Sequence, residues 1–147
     1  MQRAFLTAQR IADALGLSVQ ALPELREFRF GDWEGLTHKQ ICQQWPEIAE
    51  KFFRQPEFVK IPGGDSFSEL NQRVEQVVLR LVKQHDDQTI LVVSHGGTIR
   101  TILCAALQIP LDYVWSIRQD NTAVNIIEYY DERPIVSLVN DIHHLNA

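Results

Sequence analysis

The sequence predicts a single domain of mixed α/β type, and three observations carry that expectation. An apolar stripe at helical spacing opens the chain. A short β-branched run with helical patterns on either side sits at residues 89–94. Two more strand-like runs follow at 121–130 and 135–139. A chain of 147 residues is of one-domain size and can bury an ordinary core. Its content of 45% hydrophobic and 22% charged residues is that of a globular protein.

In chain order, Gln2–Leu15 sets Phe5, Leu6, Ala8, Ile11, Ala12 and Leu15 on one helical stripe. Gly16 follows, where a left-handed cap would stop that helix. Residues 18–22 read either as a short strand or as a connector, and 24–36 as an irregular stretch dense in aromatic and acidic side chains. Thr37 is the expected N-cap of a helix through Gln44, with Gln40 at the capping-box position. Pro46 opens a second helical piece carrying Phe52 and Phe53, and Pro56, Pro62, Gly63 and Gly64 mark a loop. Ser66 or Ser68 then caps a helix to about Gln84, with Leu70, Val74, Val77, Val78, Leu81 and Val82 as its inner face. Residues 89–94, TILVVS, bear the mark of a strand covered on both faces. His95, Gly96 and Gly97 come directly after it and lead into a helix over 98–108. The strands at 121–130 and 135–139 join across an acidic, proline-containing turn. Nothing in the chain repeats, and no linker divides it.

The net charge of −5 argues against a protein built to bind nucleic acid, which carries a basic footprint. It leaves room for a local basic pocket for a small phosphorylated molecule. Cys42 and Cys104 stand far apart with no metal-ligand spacing, so both read as small apolar residues. MQRAFLTAQR has no apolar core of the secretory kind, and no apolar run reaches the roughly 18 residues of a membrane span. Cytoplasmic placement and no membrane contact are the expectations.

Chemistry is densest in Val93-Ser94-His95-Gly96-Gly97-Thr98-Ile99-Arg100. The carboxyl end of a buried strand is where open α/β sheets place ligand chemistry. Two glycines permit close backbone approach, and the next helix offers free N–H groups and a partial positive charge, a combination suited to phosphate. His95 would face that anion. A second signal is Glu27 within Leu25-Arg26-Glu27-Phe28-Arg29-Phe30-Gly31-Asp32-Trp33-Glu34-Gly35. A carboxylate among Phe28, Phe30 and Trp33 could be desolvated enough to serve as a general acid. Glu34 is a rival in the same segment, and the pattern does not choose between them. Arg3 alone reads as a helix residue with its charge in water, but beside an anion site it becomes a candidate phosphate fork.

The order of these stretches resembles the histidine phosphatase superfamily, also called phosphoglycerate-mutase-like. The matching pieces are QRAFLTAQRIADALGL, LREFRFGDWEGLT, PGGDSFSELNQRV, ILVVSHGGTIRTIL, NTAVNII and a late VNDIHHL. The short stretch between WEG and PGGDS is similar to that of small bacterial phosphatases such as α-ribazole phosphatase. The resemblance implies a three-layer α/β/α fold with a mostly parallel sheet, a single domain over residues 1–147, and a helical lid at about 36–67. Specificity would lie in that lid, where Trp45, Phe52, Phe53 and Phe58 either stack on a ligand or form the lid's own core. The implied reaction is hydrolysis of a small phosphorylated metabolite through a phosphohistidine. Arg3 would bind phosphate, Glu27 would be the general acid, and His95 would stabilise the transferring group with the backbone of Gly96 and Gly97. That clamping of charge needs no metal or other cofactor. The remaining histidines, His38, His85, His143 and His144, lack metal-ligand spacing, and the last two read as surface residues near the chain end.

The sequence departs from the family in one respect. The family's nucleophile is the histidine of an Arg-His-Gly motif closing its first strand, and no such motif occurs here. The expected fold therefore lacks its first central strand, which normally lies beside TILVVS, and an apolar edge is left for aggregation or for pairing with another chain. Met1 stands where the related pattern has leucine, so the natural protein is expected to begin upstream. The given residues alone are expected to be inactive. Two other readings stay open: a non-catalytic remnant that binds phosphorylated ligands or a protein, and a phosphoglycerate mutase. The oligomeric state is not legible.

Overall fold

A computed structural model describes residues 2–131 and 133–146. The expectation for Met1 lies outside them. Five α-helices account for most of the regular structure among the described residues. Helix α1 spans Gln2–Leu15 and ends at Gly16, whose φ of +66° is the left-handed stop its position predicted. Residues 18–22 are a connector. Two single 3₁₀ turns, Pro23–Leu25 and Gly31–Trp33, then shape the aromatic segment.

Helix α2, His38–Gln44, begins at a reciprocal capping box between Thr37 and Gln40, and Pro46 opens helix α3, Pro46–Arg54. Of the two serines offered as caps for the next helix, Ser66 is the one used. Its side chain accepts from the Glu69 N–H, while Glu69 reaches back to the Ser66 N–H, and helix α4 runs over Phe67–Gln84. Leu70, Val74, Val77 and Leu81 are buried as the spacing requires, and Val78 and Val82 are half-buried at the edge of the stripe. Helix α5, Gly96–Leu107, starts two residues earlier than expected and ends at a left-handed Gln108.

The sheet departs from expectation. Strands β1, Val124–Tyr130, and β2, Arg133–Asp141, pair antiparallel, and they form the whole sheet among the described residues. The mostly parallel, three-layer arrangement is not formed by these residues. Residues 89–94 form no strand, and Ile90, Leu91 and Val92 are 40%, 64% and 40% exposed rather than covered on both faces. The reason is physical: a strand is completed by a neighbour's N–H and C=O groups, and no other described segment forms a ladder with this one.

The core gathers around Phe52, which α3 points inward. Its ring lies 5.1 Å from Trp33, 5.4 Å from Trp115, 5.7 Å from Phe67 and 5.8 Å from Phe28. The Trp115 indole donates to the Phe52 carbonyl at 2.9 Å, which ties the 36–67 segment to the 3₁₀ stretch Leu111–Ser116. Trp45 packs half-buried against this core, while Phe53 and Phe58 are 46% and 78% exposed. Cys104 is fully buried in the core and Cys42 packs against it, as small apolar residues do.

Candidate active site

The amino end of α5 is where the chemistry-bearing residues meet. Ser94 anchors the approach by donating from its hydroxyl to the Leu25 carbonyl at 2.8 Å. Thr98, fully buried in the first turn of α5, donates to the Arg26 carbonyl at 2.9 Å. These two bonds draw residues 25–26 across the helix end. The next residue, Glu27, is thereby presented to it.

The half-buried Glu27 carboxylate accepts from the amides of Gly97 and Thr98, each at 3.3 Å, and from its neighbour Phe28 at 2.9 Å. Free N–H groups at a helix start favour such an anion. Gly97 is needed for the approach, because a Cβ there would lie 2.7 Å from Glu27 Oε1. Glu34, the rival acid, is exposed in the turn after Trp33, where its charge bears on Arg29 instead. Glu27 thus lies at the start of α5, and Glu34 lies in a separate exposed turn.

His95 is 7% exposed and caps α5 with an extended backbone. Burial pushes its pKa below the ordinary range; the nearby Glu27 charge pulls it back up, and the Arg3 charge pushes it down. Arg3 itself lies exposed on α1, close enough for that influence. His95, Glu27, Gly96 and Gly97 are therefore brought together, with Arg3 at their margin.

Arg100 also belongs to this group, although sequence reasoning passed over it. Its Nε donates to the Ile117 carbonyl at 2.8 Å and its guanidinium lies 5.8 Å from the Trp115 ring centroid. Nη1 rests 2.9 Å from where a Gly96 Cβ would be. The two glycines thus each make room for a side chain, Arg100 over Gly96 and Glu27 over Gly97. A signal was present: residues four apart on a helix share a face, and helical side chains lean toward the amino end.

On its far side the Glu27 segment is held by Asp65, 6% exposed. The carboxylate accepts from the Arg29 backbone N–H at 3.1 Å and from Arg29 Nε at 2.8 Å, with Nη2 at 2.7 Å. Burial alone would raise the Asp65 pKa, but these bonds and the Arg29 charge outweigh it and hold the carboxyl below its ordinary value. Loop contact here is close. A Cβ on Gly31, at φ +50°, would sit 2.2 Å from the Pro62 carbonyl oxygen.

Among the described residues no group of three or more His, Cys, Asp and Glu side chains could hold a metal ion, and no helix is long and apolar enough to cross a membrane. His143 and His144 are exposed in a 3₁₀ turn near the chain end.

Residues 1–142 match the family model of the histidine phosphatase superfamily (branch 1). The chain belongs to the histidine phosphatase superfamily. It is 30% identical over 145 residues to phosphoserine phosphatase 1 of Hydrogenobacter thermophilus, a match taking in 99% of this chain and 69% of that relative. It is 29% identical over 140 residues to the adenosylcobalamin/alpha-ribazole phosphatase of Escherichia coli, covering 95% of this chain and 69% of that one. Among solved structures, YhfR of Bacillus stearothermophilus superposes with a TM-score of 0.90 at 32% identity, over 97% of this chain and 71% of its own. The fold is thus the phosphoglycerate-mutase-like α/β fold, shared with relatives that include a phosphoserine phosphatase and an alpha-ribazole phosphatase.

Proposed function

We propose that this histidine phosphatase homologue serves as a phosphomonoesterase for a small phosphorylated metabolite in the cytoplasm. The observation that carries the reading is a buried histidine and a carboxylate converging on one helix start, with Arg3 and Arg100 beside them. Phosphoryl transfer asks for stabilisation of charge spread over oxygens, and cations, amides and a donor histidine provide it without a metal. Glu27 is the proton donor to the leaving oxygen as the ester P–O bond breaks. It then takes a proton from the water that releases the phosphoryl group. His95 stabilises the phosphoryl group in transit, Arg3 contacts its oxygens, and the Gly96 and Gly97 backbone lets it approach. The helical segment 36–67 closes over the leaving group as a lid.

The histidine that accepts the phosphoryl group in this family is not among the 147 residues, so the bond-forming step requires it from chain beyond them. In that longer form residues 89–94 become a central strand of a mostly parallel sheet. A second reading is a binding protein without turnover, which would use the same helix start and cations as a phosphate site.

The test is phosphate release from p-nitrophenyl phosphate, without added metal, by this chain and by a form extended upstream in the same reading frame. Release by the extended form alone supports the proposal. In it, His95→Ala is expected to lose activity by roughly 100-fold or more, while His85→Ala keeps it. A folded extended form that binds phosphate but releases none favours the binding protein. Isomerisation of a phosphorylated acid in place of phosphate release points to a mutase.

A further inference from the structure

Arg73 lies on α4, away from the residues assigned a role above, yet it reaches the strip of backbone that carries Glu27. Its side chain is 16% exposed. Nη1 donates to two carbonyls two residues apart, Glu24 at 2.5 Å and Arg26 at 3.0 Å. Nη2 is buried 3.9 Å from Asp65 Oδ2 and has no hydrogen-bond partner among the described residues. The surroundings do not welcome a cation: burial opposes its charge most, and Arg26 and Arg29 oppose it further, against the favourable charges of Asp65 and Glu27. An apolar side chain would fill the space without that cost. What Arg73 does that an apolar residue cannot is grip two of the three carbonyls ahead of Glu27, those of Glu24 and Arg26.

We propose that Arg73 is a positioning residue for Glu27, fixing the peptides on its amino side so that the carboxylate meets the Gly97 and Thr98 amides beside His95. Ser94 and Thr98 hold carbonyls of the same strip, and Asp65 holds Arg29 beyond it. Loss of Arg73 therefore leaves the segment attached but gives Glu27 play. Its value to catalysis rests on the reading of Glu27 as the proton donor. Its effect on where Glu27 sits does not.

The placement can be read by NMR without any turnover, so the two ideas fail separately. The Glu27 charge raises the titration midpoint of His95, so that midpoint reports where the carboxylate sits. Arg73→Met is expected to move the His95 midpoint downward, toward that of Glu27→Gln. It should also cut hydrogen-exchange protection of the Gly97 and Thr98 amides by roughly tenfold, with core amides of α4 unchanged. In a Glu27→Gln background, Arg73→Met should move the His95 midpoint no further. Arg73→Lys, which keeps a charged donor, should restore part of both readouts. If Arg73→Met does not fold, Arg73→Gln replaces it with the same expectations. Parental values for His95 and the two amides in either variant would overturn the proposal. So would an equal shift with and without the Glu27 carboxylate.

Discussion

A single methyl group is enough to probe the site at the residue scale. The Glu27 carboxylate approaches α5 only because Gly97 has no Cβ. Gly97→Ala is therefore expected to push the carboxylate off its two amides and lower kcat of the extended form by roughly 100-fold, since misplacement of about 1 Å has that effect. A variant within twofold of the parent would show that this placement does not matter to catalysis. His95 gives a second handle through pH. Its folded-state pKa lies below its ordinary value of 6.5. As pH falls through that value the unfolded chain takes up the proton first, so stability present at neutral pH is lost on acidification. The urea midpoint is expected to drop between about pH 7.5 and about pH 5.5 in the parent, and to drop less in His95→Asn. Equal losses would assign the pH dependence to other groups. The carboxylates held low by their partners, Asp65 and Glu69, act at more acidic pH and leave this window clear.

Legibility at the scale of elements followed how local each element's cause is. Helix α1, the Thr37–Gln40 and Ser66–Glu69 boxes and the left-handed Gly16 all depend on residues within one turn of each other, and the sequence displays each of them. Ser66→Ala is expected to cost about 1 kcal/mol in a urea titration, the ordinary worth of such a cap. A change below about 0.3 kcal/mol would show that the start of α4 is held by its packing instead. Residues 89–94 failed as a strand for the opposite reason. β-branched residues favour a strand only where a neighbour supplies the ladder, and pattern alone cannot report whether the neighbour is there. The site was legible in the same graded way. The Ser94–Gly97 run stands together in sequence, whereas the placement of Glu27 rather than Glu34 at the start of α5, and the contacts of Arg73 and Asp65 with the Glu27 segment, join segments about 40 to 70 residues apart, which only the folded chain brings together.

Taken as a whole, the molecule turns several apolar surfaces outward. Phe5, Leu6, Leu15 and Leu17 lie exposed on and after α1, Ile90 to Val92 along the unpaired segment, and Val124, Ile126, Ile135 and Val139 on the outer face of the hairpin. Faces of this kind drive association. The 147-residue chain is expected to show molar mass rising with concentration in light scattering, and Leu91→Lys to suppress much of that rise. Because Leu91 is 64% exposed, the substitution should change folding stability by no more than about 0.5 kcal/mol. Undiminished association of Leu91→Lys would exclude this segment as the sticky surface. The unpaired segment runs directly into Ser94 and His95, where the Ser94 hydroxyl holds the Leu25 carbonyl. Whatever pairs with residues 89–94 must therefore stiffen the histidine that follows. By reciprocity, a phosphate ester that binds best to a fixed His95 must tighten that pairing by the same factor. If the proposed phosphate ester binds at His95, strand addition and ligand affinity are two readings of a single coupling free energy.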